Sequence, residues 1–173
     1  MSRNHVWIYG AASFSGGGLE GVEQQDRRIF ESRMLPIRFF HYFEMAGSLE
    51  YLSVESVRDF ICFGFTRSRD LVCLSIVDSS IWEVTPVGTG FDKSFINSTL
   101  DGFLDVMVVC EDMISGHARE DDDEVELAEE YIERWIATSE SIHDRISQID
   151  SRALFPGSYW SDFLSDVANG DYE

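Results

Sequence analysis

The sequence predicts an α+β domain, a twisted and mainly antiparallel sheet packed by helices. Three observations carry this. The middle of the chain is a series of short apolar strands joined by turns too short for a parallel crossover. Apolar residues from Val125 to Ile149 then repeat at alternating spacings of three and four. Hydrophobic residues make up 44% of the 173 and aromatics 13%, enough for one substantial core.

The first third carries the weakest pattern. Gly10 to Gly21 holds five glycines and reads as a loop. Val22 to Met34 reads as a helix anchored by Val22, Ile29 and Phe30, and Leu35-Pro36 ends it because proline disfavours α geometry in the preceding residue. Residues 1–34 are therefore set apart as an N-terminal extension to which the sequence assigns no role, and residues 35–173 form the main domain.

The sheet comes next. Ile37–Phe43 is a strand candidate, followed by a loop through Gly47. Arg58–Phe65 is apolar enough to be central, and Thr66–Asp70 makes a polar turn. Leu71–Ile76 and Ile81–Val84 follow at hairpin spacing around Asp78-Ser79-Ser80.

Helices complete the chain. Ser98-Thr99-Leu100-Asp101 offers an N-cap with an acid three residues on, and Leu100, Phe103, Leu104, Met107, Val108 and Ile114 then share a face. Val125, Ala128, Ile132, Trp135, Ser139, Ile142, Ile146 and Ile149 make the longest stripe. Such a stripe could seed a coiled-coil dimer, but it is assigned to the domain's own sheet, which favours a monomer. A last helix starts at Ser158 and packs through Tyr159, Trp160, Phe163, Leu164 and Val167; Trp135 and Trp160 are core residues.

Charge excludes several function classes. Acids outnumber bases 32 to 13, the net charge is -19, and Lys93 is the single lysine. Direct nucleic-acid binding relies on Lys and Arg displacing counterions, so this surface repels phosphate backbones and anionic lipid alike. No apolar run reaches membrane-spanning length, and Val6-Trp7-Ile8-Tyr9 is too brief for a secretory leader. Cys62, Cys73 and Cys110 lack metal-ligand spacing and read as buried free thiols, as expected in the cytoplasm.

No motif announces an enzyme. Gly16-Gly17-Gly18-Leu19-Glu20-Gly21 matches G-x-G-x-x-G by letter but follows no hydrophobic strand, so it reads as loop. There is no G-x-S-x-G and no phosphate-binding G-x-x-x-x-G-K-[ST]. His5, His41, His117 and His143 show no ligand pattern; an enzyme would have to pair His117 or His41 with nearby carboxylates. No catalytic, metal or cofactor residues are assigned.

The acidity concentrates late: residues 117–173 hold sixteen acids against four arginines. Glu120-Asp121-Asp122-Asp123-Glu124 is its densest run. A solvated linker favouring the next helix's N-terminus and a patch for a basic partner both fit it.

From Phe60 to Ile114 the order is Ile61-Cys62-Phe63-Gly64-Phe65, a polar turn, Leu71-Val72-Cys73-Leu74, Ile81-Trp82-Glu83-Val84, then Phe95-Ile96-Asn97-Ser98-Thr99-Leu100-Asp101-Gly102-Phe103-Leu104. The end adds Ile149–Leu154 and Tyr159-Trp160-Ser161-Asp162-Phe163-Leu164. Over residues 35–168 this resembles the SUKH superfamily of bacterial immunity proteins, most closely its fourth subgroup. Thr66–Asp70 departs from the D-G or G-D turn common there, and residues 1–34 have no recognised counterpart. The resemblance implies a SUKH-like α+β domain without cofactor that neutralises a cognate toxin, often a nuclease or nucleic-acid deaminase. Such toxins grip nucleic acid and are basic, which a chain at -19 suits. Glu120, Asp121, Asp122, Asp123, Glu124 and Glu126 are the expected steering charges. The alternative is a non-catalytic interaction scaffold of the same fold.

Overall fold

A computed structural model describes residues 6–14, 19, 21–52, 59–118 and 128–172. Strands β1 (Ala11–Ala12) and β2 (Leu35–Pro36) form a short antiparallel pair flanking helix α1 (Gln24–Ser32). A six-stranded sheet follows in chain order: β3 (Arg38–Phe39), β4 (Phe43–Tyr51), β5 (Phe60–Phe65), β6 (Leu71–Ser75), β7 (Ile81–Val87) and β8 (Gly90–Asn97). Every neighbouring pair is antiparallel. Helices α2 (Leu100–Ala118) and α3 (Ala128–Asp150), a 3-10 turn at Ser151–Ala153, and α4 (Tyr159–Asn169) complete the α+β fold.

Three sheet details differ from the sequence reading. The strand expected over Ile37–Phe43 is instead a tight hairpin, with Arg38 opposite Glu44 and Phe39 opposite Phe43. Phe40 turns the chain at a φ of 44° although it is not glycine. Its ring is held against Phe39, Phe163 and Tyr172, and its carbonyl accepts from Arg38 Nε. Tertiary packing here offsets the steric penalty of left-handed backbone. Next, β4 runs through Gly47 where a loop was expected. The poor strand formers Ala46-Gly47-Ser48 are carried at a register irregularity between Met45 and Glu50, because the β5 partner enforces extension. Finally, β8 had no sequence assignment. It pairs along all of β7 through the two-residue turn Gly88-Thr89, where Gly88 supplies a φ of +58°.

The two sheet faces differ. Along β5, Ile61 and Phe63 point to the main core while Phe60 and Cys62 join a smaller cluster with Cys73 and Val84 on the other face. Phe63 meets Phe30 of α1 and Phe103 of α2, and Phe39 meets Trp160 and Phe163 of α4, so α1, α2 and α4 cover one face. Phe14, Val22 and Leu35 join the same core, and Trp7 Nε1 donates to Met34 O at 3.0 Å. Cys62, Cys73 and Cys110 are free and buried.

The α3 stripe is spent mostly inside the chain, against α2 and α4 rather than on the sheet itself. Trp135, Ile142 and Ile146 are buried, Trp135 stacking near Tyr172 beyond α4 at 4.9 Å. Ile132 departs from the stripe and is 53% exposed. Val125 lies outside the described residues.

One buried polar knot ties sheet to helices. Asp150, at the end of α3, accepts from Asn97 Nδ2 (3.1 Å), Ser98 N (2.5 Å), Ser98 Oγ (3.0 Å) and Arg152 N (3.2 Å). Asn97 Oδ1 in turn accepts from Trp160 Nε1 at 2.7 Å. The ends of β8, α3 and α4 thus meet at a carboxylate and an amide, and Asn97 and Trp160 are fully buried. Ser158 caps α4 as expected, its Oγ accepting from Ser161 N, and Gly170 ends it in the left-handed region.

Candidate partner-binding surfaces

The acidic run Glu120, Asp121, Asp122, Asp123 and Glu124, with Glu126, lies outside the described residues, in the connection between α2 and α3. His117 is on α2. The flanking helices are described, and α3 carries the acidity onward: Glu130, Glu133, Glu140 and Asp144 are all exposed.

Antiparallel packing of α3 on α4 builds a groove at their junction. Ser139 Oγ donates to Leu164 O at 2.8 Å and fixes the two helices side by side. The turn after α3 then brings Leu154, Phe155 and Pro156 against both. The result is an open groove of about 740 Å³ whose floor includes Leu154, Leu164 and Ala168, with Glu140, His143 and Asp144 along the α3 wall. Phe155 is 40% exposed at its mouth. Its lining includes no lysine or arginine. Sequence reasoning missed this groove, because Phe155 and Pro156 belong to no periodic element.

A second surface forms where the β3–β4 hairpin meets α4. Tyr42 OH donates to Asp166 Oδ2 at 2.5 Å, and Tyr159 OH donates to Tyr42 O at 2.9 Å. His41 Nε2 stands 3.6 Å from the same Asp166 oxygen and stacks on Tyr42. Burial and the Asp166 carboxylate push the Tyr42 phenol well above its ordinary range. Asp166 also lines an open depression with Arg67, Gly170 and Asp171. These bonds join the hairpin to α4.

Glu83 lies on β7 and is half-buried. Its burial, with Asp70 and Asp162 nearby, raises its carboxyl above the ordinary 4.5. A raised folded-state pKa favours the protonated form, so this contribution is complete below about pH 4.5 and is lost as pH rises through the folded value. Glu83→Gln is therefore expected to raise the melting temperature at pH 7 and to lose that advantage near pH 4. Thermal melts at the two pH values check it; an equal effect at both would show that charge burial is not the cause.

The described residues contain no group of three or more His, Cys, Asp or Glu placed to hold a metal ion. No described helix is long and apolar enough to cross a membrane. What remains is a pair of acidic helices with an apolar groove, on a strand series whose Phe60–Phe65, Leu71–Ser75 and Ile81–Val87 segments follow the order of the resemblance. The family model for SUKH-4 immunity proteins matches residues 49–166. The chain belongs to this family. The SUKH-4 match begins within β4 and ends within α4, so it takes in the polar knot and most of the groove. It leaves out β1, α1 and the β3–β4 hairpin. No curated protein and no solved structure matches the chain.

Proposed function

We propose that this immunity protein binds a cognate basic toxin, a nuclease or nucleic-acid deaminase, one to one in the cytoplasm and blocks it by occlusion. The observation that carries the reading is membership of the SUKH-4 immunity family. The net charge of -19 supplies the sign of the partner. Several described cations are engaged within the chain: Arg33 bonds Asp101 and Asp105, Arg69 bonds Glu44, and Arg152 lies over the Phe95 ring. The acids therefore dominate the outward field, which draws a basic nucleic-acid-binding groove and competes with its substrate. The chain performs no chemistry of its own and needs no cofactor.

Co-expression with the product of the adjacent gene tests this. Rescue of growth together with a one-to-one complex is the expected result. Neither rescue nor complex, with several weak partners recovered instead, would favour the interaction scaffold.

Within this reading Glu120, Asp121, Asp122, Asp123, Glu124 and Glu126 act as steering charges. Replacing them by Gln and Asn is expected to slow association about tenfold at low salt and to flatten its salt dependence. Dissociation should change little. Stopped-flow mixing reads both rates, and an unchanged association rate at low salt would take this segment out of the interface.

A further inference from the structure

Steering charges bring partners together but seldom hold them; residence depends on apolar anchors buried in a pocket. We propose that the groove between α3 and α4 is the anchoring surface, and that its occupant is a basic amphipathic segment of the toxin. The inference rests on the immunity reading and adds the place and chemistry of the contact.

Helical geometry makes the groove part of a longer surface. Ile132 and Ile136 are four apart, and Ile136, Ser139 and His143 continue the same face at spacings of three and four. Ile132 is 53% and Ile136 44% exposed. The exposed apolar stripe on α3 therefore runs into the groove, where Leu154, Phe155, Leu164 and Ala168 extend it. One flank of this stripe is a row of acids: Glu133, Glu140 and Asp144, seven and four residues apart, all exposed. Arg134 and Arg145 fall further round the helix, away from the stripe.

An apolar channel with carboxylates along one wall fits a segment with apolar side chains on one face and Arg or Lys beside them. The stripe also leads toward the N-terminal end of α3, where the 119–127 connection carries its acids. A second copy of the chain fits poorly in antiparallel register, since such a two-fold contact on the stripe would set Glu133, Glu140 and Asp144 against the same acids.

Two arms test the proposal. In the first, the purified product of the adjacent gene is titrated with the wild-type chain, with Ile136→Ala/Phe155→Ala, and with Glu140→Lys/Asp144→Lys. All four positions are exposed, so the variants should keep the wild-type melting temperature. The apolar pair is expected to speed dissociation about thirtyfold, as loss of a central anchor does. The charge reversals should mainly slow association. Wild-type kinetics in both variants would overturn the groove while leaving the immunity function standing.

The second arm does not depend on the toxin. A short synthetic amphipathic helix of leucine and arginine is titrated into the isotope-labelled chain. Amide shifts are expected to move at Ile136, His143, Phe155, Leu164 and Ala168, and to weaken about tenfold with Glu140→Lys/Asp144→Lys. Shifts scattered over the surface, or a dimer by sedimentation that Ile136→Ala/Phe155→Ala dissolves, would overturn it. Failure of the wild-type chain to bind or neutralise the neighbouring gene product would sink the immunity reading, and the peptide arm would still decide the groove.

Discussion

Asp150→Ala is expected to lower the unfolding free energy by about 3–5 kcal/mol, the cost of breaking a buried charged hydrogen-bond set. The carboxylate accepts four bonds, from Asn97 Nδ2, Ser98 N, Ser98 Oγ and Arg152 N. Removing it strips a partner from each donor, and Asn97 is fully buried where water cannot replace it. The damage spreads because Asn97 also holds Trp160 Nε1. The change should reach about a third or more of a typical domain's stability. Urea unfolding measures it directly. Asp150→Asn retains one acceptor oxygen and should cost clearly less; a loss under about 1 kcal/mol for Asp150→Ala would show that the knot is not a structural tie.

Gly64→Ala is the second large effect, from crowding rather than loss. A Cβ at position 64 would clash with Phe43 Cε2 and lie 2.9 Å from the Glu44 carbonyl oxygen. The cause is the irregularity in β5: Cys62 pairs with Cys73 and Gly64 with Val72, leaving Phe63 as the extra residue. Phe63 and position 64 therefore both face the helix side, where the Phe43 ring already packs against Phe63 and Phe103. Overpacking in such a centre costs about 1–3 kcal/mol, and the backbone contact places Gly64→Ala at the upper end. Adding Phe43→Leu should recover part of the loss. A thermal melt series of the two single variants and the double checks this, and strict additivity would rule out the steric clash as the cause.

Both effects sit inside the stretch that the family model matches, on residues visible in the sequence. Phe63-Gly64-Phe65 carries the signal in plain form, since a glycine inside an apolar strand marks a bulge or a close approach. Asn97, beside Ser98 and ahead of the α2 repeat, is legible only as a helix-start residue. Its bonds to Asp150 and Trp160 cross 53 and 63 residues, and no local pattern records them. The β3–β4 hairpin was similarly hidden. Ile37–Phe43 has the composition of one strand, and the turn at Phe40 exists because Phe163 and Tyr172 pack on its ring. The groove followed the same logic. Glu140 and Asp144 were countable as acids, but Phe155 joined them only when α4 folded back on α3.

The sequence by itself determined the fold class, the start of the last helix at Ser158, the burial of Trp135 and Trp160, and the sign of the surface. These follow from local spacing, capping chemistry and charge count, which act over a few residues or over the whole chain at once. Tertiary structure alone decided which apolar residues of α3 stay exposed, where the chain reverses at Phe40, and which acids border an apolar groove. Those outcomes depend on contacts between elements far apart in the chain. A helix's spacing shows that it has an apolar face, but only its neighbours determine how much of that face they cover.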